Sequence, residues 1–112
     1  MSIKYPFGNA DTSLSLTATG AQALTITSNF TIIDGVTTEA TGNRTINLTI
    51  GDEVTAGAIL IVQSKTNGTE TTIFGTNITS ETITGVAGKT INQSFVYNGT
   101  AFVAMGADQQ ID

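Results

Sequence analysis

From Thr45 to Ile50 the side chains alternate without a break, Ile46, Leu48 and Ile50 on one face and Thr45, Asn47 and Thr49 on the other. A period of two is that of a half-buried β-strand. Leu14 and Leu16 repeat it, as do Leu24, Ile26, Phe30 and Ile32, with Thr or Ser filling most intervening positions. Ala58-Ile59-Leu60-Ile61-Val62 departs from it, being apolar at every position. Such a run predicts a central strand covered on both faces. No segment shows the 3.6-residue period of an amphipathic helix, and glycines at 35, 42, 51, 57, 75, 85, 88 and 106 cut the chain into pieces of strand length.

Two Asn-Gly dipeptides predict hairpins, because Asn and Gly reach the positive φ of a type I′ turn most easily. Around Asn98-Gly99 the expected pairs are Tyr97 with Thr100, Val96 with Ala101 and Phe95 with Phe102. Around Asn67-Gly68, Thr66 is expected opposite Thr69, Lys65 opposite Glu70 and Val62 opposite Ile73. A charge match and an apolar match arise in that single register. The resulting expectation is an all-β fold over residues 1–112, one domain built as a β-sandwich or jelly-roll-like barrel of about eight short antiparallel strands. Ile33-Asp34-Gly35-Val36 followed by Arg44-Thr45-Ile46-Asn47 echoes Ile83-Thr84-Gly85-Val86 followed by Lys89-Thr90-Ile91-Asn92. Either a turn-plus-strand unit is duplicated or Thr/Ile/Asn-rich sequence repeats itself by chance.

Composition narrows the function more than the fold. Thr fills about one position in five, charged residues only 12%, and His, Cys and Trp are absent. Most catalytic and metal sites are built from side chains this chain lacks. The net charge of −5 gives no basic patch for phosphate, so nucleic acid is not an expected partner. Met1–Asn9 carries one lysine and no apolar run, and no window reaches the length of a membrane-spanning helix, so neither a secretion signal nor a membrane partner is expected.

Each candidate for chemistry has a plainer account. Gly88-Lys89-Thr90 ends like a phosphate-binding loop, but Ile83 stands where that loop needs its first glycine, and a strand rather than a helix follows. Lys89 is therefore expected to face solvent at a strand entrance. A hydroxyl nucleophile would have only lysine or carboxylate as its base, and a glycosidase-type carboxylate pair would lack Trp for sugar stacking. Asp52-Glu53, Asp34 and Asp108 do not follow the alternating ligand spacing of a calcium loop. No enzymatic activity, cofactor or metal is expected. Asn-x-Thr/Ser occurs at Asn29, Asn43, Asn47, Asn67, Asn77, Asn92 and Asn98, which alternating strands with Asn and Thr outward would generate by themselves.

A Thr- and Asn-rich outer face offers hydrogen bonds with little charge, a surface suited to packing against another β subunit. The chain is thus expected to be an assembly subunit. Residues 1–9 differ from the rest: they hold the only Pro and two aromatic rings. They fit a docking arm, with Ile3, Tyr5, Pro6 and Phe7 as partner-binding residues, or an N-terminal strand packed on its own domain.

The C-terminal run Gly88-Lys89-Thr90, then Phe95-Val96-Tyr97-Asn98-Gly99-Thr100-Ala101-Phe102-Val103-Ala104-Met105-Gly106, resembles the closing hairpin of structural proteins from tailed bacteriophages. There a GKT-like turn leads to F-x-Y-[DN]-G-x-A-[FW]-V. Size and composition are also similar to small capsid decoration and head-fibre proteins. The resemblance implies a non-enzymatic, trimeric virion subunit on the capsid exterior, bound to the major capsid protein and other virion proteins, with Phe95 and Phe102 holding the hairpin. A tail-fibre, baseplate or tail-tube module, or a glycan- or receptor-binding cell-surface β-module, would share the same strand grammar.

Overall fold

The computed structural model describes residues 12–112. Among these, eleven strands and no helix occur: β1 (Thr12–Ser15), β2 (Gly20–Ile26), β3 (Phe30–Ala40), β4 (Arg44–Ile50), β5 (Ile59–Thr66), β6 (Thr71–Phe74), β7 (Ile78–Thr79), β8 (Ile83–Thr84), β9 (Thr90–Tyr97), β10 (Phe102–Ala104) and β11 (Gln109–Gln110). They form a seven-stranded sheet ordered β1-β3-β5-β9-β10-β7, with β11 also on β9, and a four-stranded sheet ordered β2-β4-β6-β8.

The all-β expectation holds; the antiparallel one is corrected. From β1 to β6 the chain passes alternately from one sheet to the other, and every new strand lies parallel to the strand one coil earlier: β3 beside β1, β5 beside β3, β4 beside β2, β6 beside β4. Antiparallel pairing enters only in the second part, where β8 joins β6, β9 joins β5, and β10 and β11 join β9. The coils are unequal: Thr12 lies opposite Thr31, Phe30 opposite Ile59, Gly20 opposite Arg44 and Arg44 opposite Thr72, offsets of 19, 29, 24 and 28 residues. Unequal coils leave no fixed period in the sequence, so the coil could not be read as a repeat. The echoed motifs are not structural equivalents, since Ile33-Asp34 lies on β3 of the larger sheet and Ile83-Thr84 is β8 of the smaller one.

One hydrophobic cluster fills the space between the sheets, with Ile33, Leu60, Val62, Phe95 and Phe102 from the larger sheet and Ile26, Ile46 and Leu48 from the smaller. β4 alternates as the sequence predicts. β5 is central, between β3 and β9, and buries Leu60 and Val62 while Ile59 and Ile61 sit half-buried on the outer face. Parity breaks between β2 and β3: Ile26 faces inward, but the three residues 27–29 reset the chain so that Thr31 and Ile33 point into the core and Phe30 and Ile32 outward.

The two Asn-Gly sites diverge. Asn98-Gly99 does lie in a hairpin, but its register is two residues from the expected one: Phe102 pairs with Tyr97, Val103 with Val96 and Ala104 with Phe95. The turn spans residues 98–101, where the Asn98 side chain accepts hydrogen bonds from the Thr100 and Ala101 amides and Gly99 alone has positive φ. A two-residue shift keeps each side chain on its face. Phe95 and Phe102 are both fully buried; Phe95 packs edge-on to Phe74, and Phe102 against Tyr97, each at a centroid distance of 5.1 Å.

At Asn67-Gly68 no hairpin forms. β5 is already bordered by β3 and β9, so the chain crosses to the other sheet and β6 pairs with β4 and β8. Val62 is buried while Ile73 is exposed, and Lys65 pairs with Glu39 at 3.2 Å rather than with Glu70. The Glu70 carboxylate instead accepts the Gly68 amide at 2.6 Å.

Candidate functional site

Three surfaces and one buried centre stand out among the described residues. Arg44 opens β4 on the inward parity of Ile46 and Leu48, so its guanidinium enters the core, where the residue has no solvent exposure. Its Nη1 donates to the carbonyls of Thr38 at 2.9 Å and Thr17 at 3.3 Å. Its Nη2 donates to the Gly35 carbonyl at 3.1 Å, the Ser64 hydroxyl at 2.9 Å and the Lys65 carbonyl at 3.3 Å. Gly35 is required by this approach, because a Cβ there would lie 2.6 Å from the Gln63 carbonyl and 2.9 Å from Nη2. Burial pushes the guanidinium pKa down, while the charges of Asp34 and Glu70 act in the opposite direction. A guanidinium stays protonated at any physiological pH, and here it ties β3 and β5 to β4 across the core. Asp34 accepts the Thr37 hydroxyl at 2.7 Å and the Val36 amide at 2.8 Å, which with the Arg44 charge hold its carboxyl below the ordinary range against partial burial.

Asparagines link the coils one to the next. Asn43 accepts the Thr71 amide at 3.0 Å, Asn47 the Thr76 amide at 2.9 Å and Asn29 the Thr55 amide at 2.9 Å. The outer-face account of the Asn-x-Thr pattern is thereby corrected: only Asn47 and Asn92 lie within strands, while Asn29, Asn43, Asn67, Asn77 and Asn98 occupy turns. Asn77 adopts φ 61° and donates to the Leu48 carbonyl at 2.9 Å.

The first surface is the outer face of the larger sheet. Pairing aligns Phe30, Ile59, Val96 and Val103 in one row and Ile32, Ile61 and Ser94 in the next. This half-buried apolar block is bounded by a polar row of Ser15, Asp34, Gln63, Asn92 and Gln109. The second surface is the edge strand β2. Ala21, Ala23 and Thr25 are exposed, the strand bears no charge and no proline, and among the described residues no strand pairs with its free side. The third is a shallow cavity of about 180 Å³ between residues 80–82 and 104–108, walled in part by Glu81, Asp108 and Gln93. The Gln93 amide nitrogen is held by the carbonyls of Ser94 and Gly106, each at 3.1 Å.

Lys89 is exposed in the turn before β9, as expected, and Asp52 and Glu53 lie exposed between β4 and β5. Among the described residues no three acidic side chains gather in a way that could hold a metal ion. Ile3, Tyr5, Pro6 and Phe7 fall outside the described residues. Arg44 was missed as a structural centre, although its parity with Ile46 and Leu48 was visible in the sequence. No protein-family model, no curated protein and no solved structure matches this chain.

Proposed function

We propose that this chain is a non-enzymatic structural subunit of a tailed-bacteriophage virion, a capsid decoration or head-fibre protein that binds the outside of the capsid as a trimer and stabilises it. The observation that carries this reading is the form of the resembling C-terminal run: Phe95 to Ala104 folds as one hairpin, both phenylalanines buried and the turn closed by Asn98. The outer faces support it, since a threonine-rich, weakly charged sheet with an apolar block suits broad, shallow contacts multiplied by valency. Ile3, Tyr5, Pro6 and Phe7 add partner contacts if the N-terminal segment is an arm. In this reading the site holds no cofactor, and the partners are the major capsid protein and further copies of the chain.

A second reading, a tail-fibre or baseplate module, is favoured by the coil itself, because stacked coils extend naturally along one axis. Light scattering on the purified protein, followed by co-sedimentation with capsids stripped of accessory proteins, tests both. Trimers that pellet with capsids support the decoration role; a species that leaves capsids unbound turns the assignment to the tail.

A further inference from the structure

We propose that Asn67 is a self-modification site: the Gly68 amide nitrogen attacks the Asn67 side-chain amide, with the Glu70 carboxylate as its base, and the residue is converted to aspartate and isoaspartate. The chain carries two Asn-Gly dipeptides, and both meet the covalent requirement, because glycine sets no side chain in the path of the attack. The stretches that follow, Asn67-Gly68-Thr69-Glu70 and Asn98-Gly99-Thr100-Ala101, differ only in their fourth residue. The fold turns that one difference into a difference in chemistry.

At Asn67 the nucleophile already faces a base. The Gly68 amide donates to Glu70 Oε1 at 2.6 Å, well below the about 2.9 Å of an ordinary N–H···O bond, which is the short contact expected of a charged acceptor. A general base has to stand within such reach of the proton it removes. The backbone on either side is pinned: the Asn67 amide donates to the Ala40 carbonyl at 2.9 Å, and the Thr66 hydroxyl donates to the Gly68 carbonyl at 2.8 Å. The Gly68 N–H is thereby kept on the carboxylate, while the Asn67 side chain, the group that must swing onto the nitrogen, is exposed to solvent.

Asn98 is exposed as well, but its side chain is committed. Its Oδ1 accepts the Thr100 amide at 2.8 Å and the Ala101 amide at 2.9 Å, and both bonds break when the carbonyl carbon turns toward the Gly99 nitrogen. Ala101 stands where the other stretch has Glu70, so the turn supplies no base of its own. The site that forms the hairpin is protected by its turn, and the site that crosses between sheets is activated by its crossing.

The reaction balances within the chain and one water. The Gly68 nitrogen bonds to Asn67 Cγ, its proton passes by way of the Glu70 carboxylate to the side-chain nitrogen, and the Cγ–Nδ2 bond breaks to release ammonia. A cyclic imide remains, and Glu70 is again a carboxylate. Water then opens the imide at either carbonyl, giving aspartate in the original backbone or isoaspartate, in which the chain runs through the side-chain carbon. Nothing is oxidised or reduced. Each product adds a negative charge beside Glu70, and isoaspartate lengthens by a methylene the crossing that carries the chain from β5 to β6.

Peptide mapping by mass spectrometry, on full chain incubated at neutral pH and physiological temperature, reads both sites in one sample. Asn67 should convert at least ~10-fold faster than Asn98, and Glu70→Gln, which keeps an acceptor but removes the base, should slow Asn67 by at least ~10-fold and leave Asn98 unchanged. Circular dichroism establishes that the variant is folded when the rates are compared. The same incubation of the parent in urea needs no variant: with the Gly68–Glu70 contact gone, the ratio of the two rates should fall toward unity. Equal conversion of Asn67 and Asn98 in the folded chain, a folded Glu70→Gln that converts as fast as the parent, or a ratio that persists in urea would each overturn the proposal.

Discussion

Residues 12–74 and residues 75–112 are built on different principles. In the first region, parallel strands wind through two sheets around most of the apolar core, and polar side chains add links from one coil to the next: the asparagines of positions 29, 43 and 47, and the Arg44 guanidinium with its five acceptors. In the second, β8, β9, β10 and β11 pair antiparallel and β7 runs parallel to β10, and aromatic rings pack there, Phe95 on Phe74 and Phe102 on Tyr97. Parallel neighbours lie far apart in sequence and need crossings whose exposed backbone must be satisfied, so side-chain amides gather at the crossings. An antiparallel hairpin satisfies its own backbone and needs mainly a buried face. The same dipeptide accordingly gives a hairpin in one region and a sheet-to-sheet crossing in the other.

The largest effect should come from the closing region. Phe95→Ala removes a fully buried ring that touches both sheets and should lower stability by about 3–5 kcal/mol in chemical denaturation. Arg44→Met, aimed at the coiled region, should cost about 3 kcal/mol, because apolar volume is kept while several buried acceptors lose their donor. If Arg44→Met is neutral, the coils are held by apolar packing alone and the contrast between the regions fails.

The two Asn-Gly sites give a finer comparison. Gly99 has φ +97°, a conformation that costs a Cβ-bearing residue about 1–2 kcal/mol, so Gly99→Ala should show a loss of that order. Gly68 does not share the positive φ, and its added Cβ would meet only the flexible Glu70 carboxylate at 3.2 Å, so Gly68→Ala should change stability by less than about 0.5 kcal/mol. Thermal melts of the pair decide whether the turns differ as described.

The smallest effect is an acid dependence in the coiled region. The folded-state pKa of Asp34 lies below its unfolded value, so the carboxylate contributes stability that is present above the unfolded pKa and lost as pH falls through the folded one. Relative to the parent, Asp34→Asn should be less stable at neutral pH, with the difference closing below about pH 4. A constant difference across an acid titration of the melting temperature would remove the assigned role of the charge.

Strand identity was legible wherever one face is buried, as at Ile46, Leu48 and Ile50, because the pleat writes burial into alternate positions. Phe30 and Ile32 misled because an alternating pattern continues through a loop that resets the faces. The outer apolar block had no sequence signature, since it joins residues of three strands whose paired positions lie 29 to 37 apart, such as Phe30 with Ile59 and Ile59 with Val96.

Composition and alternation alone determined that this chain is β-structured, poor in charge and without imidazole or thiol chemistry, because those properties belong to residues and to their nearest neighbours along the strand. Only the tertiary structure decided that successive strands run parallel through two sheets, that Asn67-Gly68 crosses rather than folds back, and that an arginine sits at the centre. Pairing is a competition among strand edges, and its outcome depends on which edges are already occupied, a fact no single segment carries.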